Sequence, residues 1–248
     1  MKDLLGTLVS FQKKDLAHLN DGQLKILCVF PHIMNRLKVL ETQVYSHMNV
    51  MQDESIDIAK REVAICGFLE AIILMAGELK EAYEAIQHCY YRTQLAKSMK
   101  SLLPDDIQER LKRLPRHFSG DSLVHFLRNN FAYHNSPDTA LQTIKILDDD
   151  TSMAFYFLDQ GANIYFQFAT NIRIVALAEW MGIDDCHDAV GALMPEVMGK
   201  VFNDVWLPMF VLVRDVLNTF KQEITPVHLT AVPLESELRA AVFYHMHE

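Results

Sequence analysis

Between Arg128 and Pro137 the chain reads Arg-Asn-Asn-Phe-Ala-Tyr-His-Asn-Ser-Pro, which sets a fixed cation, amides and a titratable imidazole within one short segment. Arginine offers a planar fork of donors that suits a phosphate. Histidine takes or gives a proton near neutral pH. Together these are the minimum groups for cutting a phosphodiester without a metal. In RNA cleavage by internal attack, the ribose 2′-OH loses a proton and the leaving oxygen gains one. His134 suits either step, according to its protonation state. Arg128 neutralises charge that builds on the phosphate. Asn129 orients the phosphate or the imidazole, and Tyr133 stacks on a base or supports the site. The same residue types also fit a plain structural reading. In that reading Asn129, His134 and Asn135 terminate a helix and Arg128 bridges to an acidic neighbour.

The Arg-Asn-(four residues)-His spacing resembles the motif of the HEPN superfamily. These are helical proteins, many of them ribonucleases of prokaryotic toxin or defence systems. The resemblance implies an all-α multi-helix bundle of HEPN-like type and a metal-independent endoribonuclease. It implies catalytic roles for Arg128, His134 and Asn129, and a composite groove made by two protomers. It also implies RNA as substrate and an antitoxin or regulatory protein as a further partner. One departure stands out. Some HEPN toxins carry a tyrosine two residues after the histidine, which a partner enzyme modifies; here that position is Ser136. That mode of control is not implied.

The elements must then position these groups. Residues six apart on a straight helix point about 120° apart. Arg128 and His134 therefore need a long arginine arm, a frayed helix end or a neighbouring subunit to meet. One chain offers one well-placed histidine for two proton transfers. A homodimer with the motif near its two-fold axis supplies the second. Pro137 disfavours helical geometry at Ser136, which puts His134 at or near a helix end.

The chain has 248 residues, half of them hydrophobic, with 9 glycines and 8 prolines. Sparse helix breakers and long apolar-periodic runs predict a mostly helical protein, read as one domain over 1–248 with a HEPN-like core and a C-terminal helical extension. The formal net charge of −9 opposes indiscriminate nucleic-acid binding. Only the segment from Arg92 to Arg128 is basic, with eight cations against four acidic residues, and it leads into the motif. Arg113 and Arg116 within it are candidate substrate contacts. A solvated helical face explains such charges equally well.

Helical spacing is read over about 23–48, with Pro31 as a kink or start, and from Asp53 to about Ser98, where Gly67 and Gly77 allow close packing or a break. Further helices are expected from Leu103 to before Pro115, after a Ser119–Ser122 cap, and from Ser136 through Leu147. Others follow from Ala169 to Met181 and over 188–220, interrupted at Pro195 and Pro208. The last runs from Val232 to His247. The aromatic runs over 153–168 flank a glycine turn and read as a small β-hairpin, with continuous helix from Ile164 as the rival.

The cysteines at 28, 66, 89 and 186 form no CxxC pair, which fits free buried thiols in a reducing cytoplasm. No signal peptide or membrane span is read, so a cytoplasmic protein without a membrane partner is expected. No cofactor or metal is expected. Asp184-Asp185-Cys186-His187-Asp188 reads as an acidic helix start rather than a metal site. Asp148–Asp150 reads as a solvated turn, and His245 and His247 as frayed. Two other classes compete with the ribonuclease. One is a non-catalytic helical module that binds RNA or protein through the same face. The other is a structural or small-molecule-binding helical protein, for which an enclosed apolar pocket would be the sign.

Overall fold

The computed structural model describes residues 5–10, 12–91, 93–99, 103–132, 137–147, 156–157, 164–165, 167–183, 186–223 and 228–233. Helix dominates these residues, and the all-α class expected from the sequence holds. Two helices of 32 residues, α1 (Asp21–Gln52) and α2 (Ile58–Cys89), form a long hairpin. Each spans roughly 48 Å at the α-helical rise. Helix α1 opens with a reciprocal cap: the Asn20 side chain accepts from the Gln23 N–H, and the Gln23 side chain accepts from the Asn20 N–H, each at 3.0 Å. Pro31 lies inside α1 rather than at its start.

Helix α2 begins later than expected. Asp53 turns back on Ser55, accepting from its N–H at 2.9 Å and its hydroxyl at 2.6 Å. Asp57 then caps α2 by accepting from the Ala59 N–H at 2.8 Å. The run stops at Tyr90, and a short helix, α3 (Gln94–Met99), follows. Neither Gly67 nor Gly77 breaks α2. Gly67 instead admits the His47 ring against the α2 backbone, where a Cβ would stand 2.3 Å from the imidazole.

One cluster of buried side chains runs from Leu19 to Val216. Phe30, Leu37 and Val44 of α1 face Phe68, Ile72, Met75, Leu79 and Ile86 of α2, at the three-to-four-residue spacing of one helical face. Ile58 is exposed at the helix start. Acidic groups join the core through partners. Glu41 is 2 % exposed. It accepts from Trp206 Nε1 at 3.1 Å and from Lys38 Nζ at 2.5 Å. Arg36 of α1 pairs with Glu78 of α2.

The remaining helices are α4 (Asp105–His117), α5 (Leu123–Leu127), α6 (Pro137–Ile146), α7 (Gln167–Met181), α8 (Cys186–Glu196) and α9 (Leu207–Glu223). Helix α7 ends at Gly182, whose φ of 70° lets its N–H reach Glu179 O and the Ile183 N–H reach Ala178 O. Arg173 of α7 pairs with Glu70, and Thr170 donates to Cys66 Sγ at 3.2 Å, fixing α7 on α2.

Three prolines expected to end or interrupt helices do not. Helix α4 continues through Pro115 to His117, and Pro195 sits inside α8. Between α8 and α9 the backbone widens into a π-segment, Val197–Trp206. There the Leu207 N–H bonds Phe202 O. The next bond in that register would join residue 208 to Asn203 O, but Pro208 has no N–H. Arg110 of α4 donates to that carbonyl at 2.8 Å and lies 3.8 Å from the Asp204 carboxylate. A long-range side chain thus replaces the bond that proline removes.

Two antiparallel pairs complete the described residues. β1 (Leu5–Ser10) pairs with β4 (His228–Pro233), from Leu5 opposite Pro233 to Ser10 opposite His228. This corrects the helix expected from Val232: Val232 and Pro233 are strand. The remainder of that stretch lies outside the described residues. β2 (Tyr156–Phe157) pairs with β3 (Ile164–Tyr165) inside the aromatic-rich stretch read as a hairpin. No helix among the described residues is long and apolar enough to cross a membrane.

Candidate functional site

Helix α5 hangs between two anchors. At its start Ser122 accepts from the His125 N–H at 3.1 Å and donates its hydroxyl to His117 O at 2.6 Å, joining α5 to the end of α4. Leu123, Val124 and Leu127 are buried against the core. The Phe126 ring stacks on Trp180 of α7 at 4.8 Å.

At Arg128 the backbone leaves the α register and runs as a π-turn to Ala132. The Asn130 side chain supplies a physical cause. Its Nδ2 donates to Phe126 O at 2.9 Å, competing for the carbonyl that the α register would reserve for a backbone N–H. Thr139 of α6 donates to Asn130 Oδ1 at 3.3 Å and holds the amide in place. Phe126 and Phe131, five residues apart, then meet edge-on at 5.7 Å. Single π-turns of this kind recur at functional sites.

The turn carries a chain of polar groups. Arg128 Nη1 donates to Asn129 Oδ1 at 3.1 Å. Asn129 Nδ2 lies 2.8 Å from His125 Nε2. Since arginine only donates, Asn129 must present its oxygen to Arg128 and its NH2 to His125. The same Nδ2 lies 3.4 Å from His125 Nδ1, so the amide sits against the face of the ring and leaves the in-plane positions of both ring nitrogens outside this contact. The other guanidinium arm, Nη2, lies 4.0 Å from Glu81 Oε1 of α2. The enclosed Nε has no hydrogen-bond partner among the described residues. Arg128 and His125 are half-buried and Asn129 is exposed.

Of the residues singled out by sequence, the structure therefore joins Arg128 to Asn129. Tyr133 and His134 lie outside the described residues. Arg113 and Arg116 are exposed on α4, and among the described residues no contact brings either to Arg128. His125 escaped the sequence reading, which counted one well-placed histidine per chain. Its signal was present, because residues 125 and 129 are four apart and share a helix face. Asn130, read as part of the motif's polar run, bonds backbone and α6 instead.

Among the described residues no group of three His, Cys, Asp or Glu side chains is placed to hold a metal ion. Helix α8 starts at Cys186; Asp184, Asp185, Asp148–Asp150, His245 and His247 lie outside the described residues. Cys28 is exposed, contrary to the expectation of buried thiols, because it lies on the outer face of α1; Cys66 and Cys89 are half-buried.

Comparison of the chain with models of known families, with curated proteins and with solved structures yields no match.

Proposed function

We propose that the Arg128 turn is the active site of a metal-independent endoribonuclease of HEPN-like type. The observation that carries this reading is the Arg128–Asn129–His125 chain, in which one amide links a phosphate-shaped cation to an imidazole. A phosphate entering the turn takes Arg128 from Glu81, a contact of 4.0 Å to a carboxylate that is half exposed and so cheaply given up. The fork then neutralises the non-bridging oxygens. With the Asn129 amide turned from the ring toward the phosphate, the basic nitrogen of neutral His125 accepts the 2′-OH proton as the 2′ oxygen bonds to phosphorus. The P–O5′ bond breaks, and His134 in its protonated form gives a proton to the 5′ oxygen. The products are a 2′,3′-cyclic phosphate and a free 5′-OH. With His125 as base, one chain holds an imidazole for each transfer. A homodimer, with antitoxin or regulatory partners, remains part of the HEPN resemblance and has its own test in light scattering.

A second reading rests on the same contacts. Arg128 spans Glu81 and Asn129 and so ties the turn to α2, which suits a non-catalytic helical module that binds RNA or protein. The two separate on product chemistry. Incubating random-sequence single-stranded RNA with the protein in EDTA yields fragments ending in 2′,3′-cyclic phosphate under the first reading. His125→Ala or His134→Ala abolishes them while circular dichroism stays unchanged. Retained RNA binding with intact RNA supports the second.

A further inference from the structure

A hollow of about 480 Å³ opens between the end of α2, α3 and α4, and it shares no lining residue with the Arg128 turn. Its size falls in the range of small-molecule sites, roughly 300–1,000 Å³. The floor is apolar and buried: Tyr90, Leu103 and Leu212 are at most 7 % exposed. The rim is exposed and carries Tyr91, Lys97 and Lys112.

Among the described residues no aspartate or glutamate lines the hollow, although the chain as a whole is acidic at −9. Lys112 bonds Glu109 at 2.5 Å, but both side chains are more than half exposed, so a ligand can compete for the ammonium. Lys97 has no ion pair among the described residues. The phenols of Tyr90 and Tyr91 make no hydrogen bond among the described residues, so both are available as donors. Burial holds the Tyr90 phenol above the usual tyrosine range, so it stays protonated at neutral pH. An apolar floor, neutral phenol donors and two rim ammonium groups suit one kind of molecule: an apolar ring system ending in a negative group.

We propose that this hollow is a binding site for a small aromatic anion. The ring system lies on Leu103, Leu111 and Leu212, and the anionic group sits between Lys97 and Lys112. This site stands independently of any nuclease activity.

The test uses 8-anilinonaphthalene-1-sulfonate and its uncharged counterpart N-phenyl-1-naphthylamine as probes on the folded full chain. The sulfonate is expected to bind saturably at one site per chain. Lys97→Glu with Lys112→Glu should weaken it by about tenfold or more, the scale of losing a charge-assisted contact. The neutral probe should change by less than about twofold, since no charge pair is removed. Ala96→Trp, which fills the hollow from the half-buried face of α3, should abolish binding of both probes. Lys25→Glu, an exposed charge on α1 outside the hollow, should leave both unchanged. The proposal is overturned by non-saturable binding, by equal weakening from Lys25→Glu, or by full binding in a folded Ala96→Trp variant. Near-ultraviolet circular dichroism confirms that each variant is folded.

Discussion

Two polar chains in this molecule use similar residue types to opposite ends. In the interior, Lys38, Glu41 and Trp206 tie α1 to the π-segment. Glu41 is almost wholly buried, and Lys38 Nζ, one of its donors, also lies 5.9 Å and 5.2 Å from the Trp206 and Phe210 ring centres. At the surface, Glu81, Arg128, Asn129 and His125 form a second such chain, but with its acid exposed, its amide exposed and one arginine nitrogen without a partner among the described residues. Burial separates the two. The difference lies in the acid, since the Lys38 and Arg128 side chains are each about a third exposed: a buried carboxylate holds the fold, because removing it strands the Trp206 N–H. An open chain can exchange a protein partner for a ligand at small cost.

The largest effect should come from breaking the closed chain. Glu41→Ala leaves the Trp206 N–H without its acceptor and Lys38 without its counter-charge, and should destabilise the fold by about 3 kcal/mol. Urea denaturation monitored by the fluorescence of Trp180 and Trp206 together measures it. A loss below about 1 kcal/mol, the size of an ordinary exposed hydrogen bond, would erase the contrast with the surface chain.

A smaller effect is expected where the helix register is repaired from outside. Arg110→Ala removes the donor to Asn203 O beside Pro208. Because Asn203 is exposed, water replaces the guanidinium and the loss should be about 1 kcal/mol. Pro208→Ala in the same background should recover part of it by restoring the backbone N–H, and a thermal-melt cycle of the three variants would detect the coupling.

The pH dependence should be smaller still. Burial lowers the proton affinity of His47 and, more than offsetting the nearby Asp204 carboxylate, of His117. The folded state therefore favours neutral rings, while the unfolded chain takes up protons from about pH 6.5. Stability from these groups is complete above that pH and falls as pH drops through the lower folded values. Asp53 and Glu109, both lowered by hydrogen bonds, act only in more acidic solution. Melting temperature should fall between pH 7 and 5, and His47→Asn should flatten part of that slope.

Local structure was legible in the sequence where a nearby residue decides it. The α1 and α2 faces follow their apolar spacing, Ser122 caps α5, and Gly182 stops α7. Where the deciding partner is distant, the sequence was silent. Pro115, Pro195 and Pro208 were read as breaks, yet at Pro208 an arginine from α4 supplies the missing bond. The β1–β4 pair joins opposite ends of the chain, and no local pattern announces it. At the candidate site, Arg128 and Asn129 were legible by type. The π-turn was not, because it arises from Asn130 competing for Phe126 O with Thr139 of α6 as its support. His125 was missed because the motif was read forward from Arg128 and not back along its helix face.

The most direct test of the open chain is single-turnover cleavage of random-sequence single-stranded RNA in EDTA by Arg128→Lys. Lysine keeps the charge and loses the fork and its hold on Asn129. The account predicts cleavage by the wild type and a loss of about a hundredfold or more in a folded Arg128→Lys variant. Wild-type RNA left intact, or a variant cleaving within about twofold of the wild-type rate, well short of that loss, would contradict it.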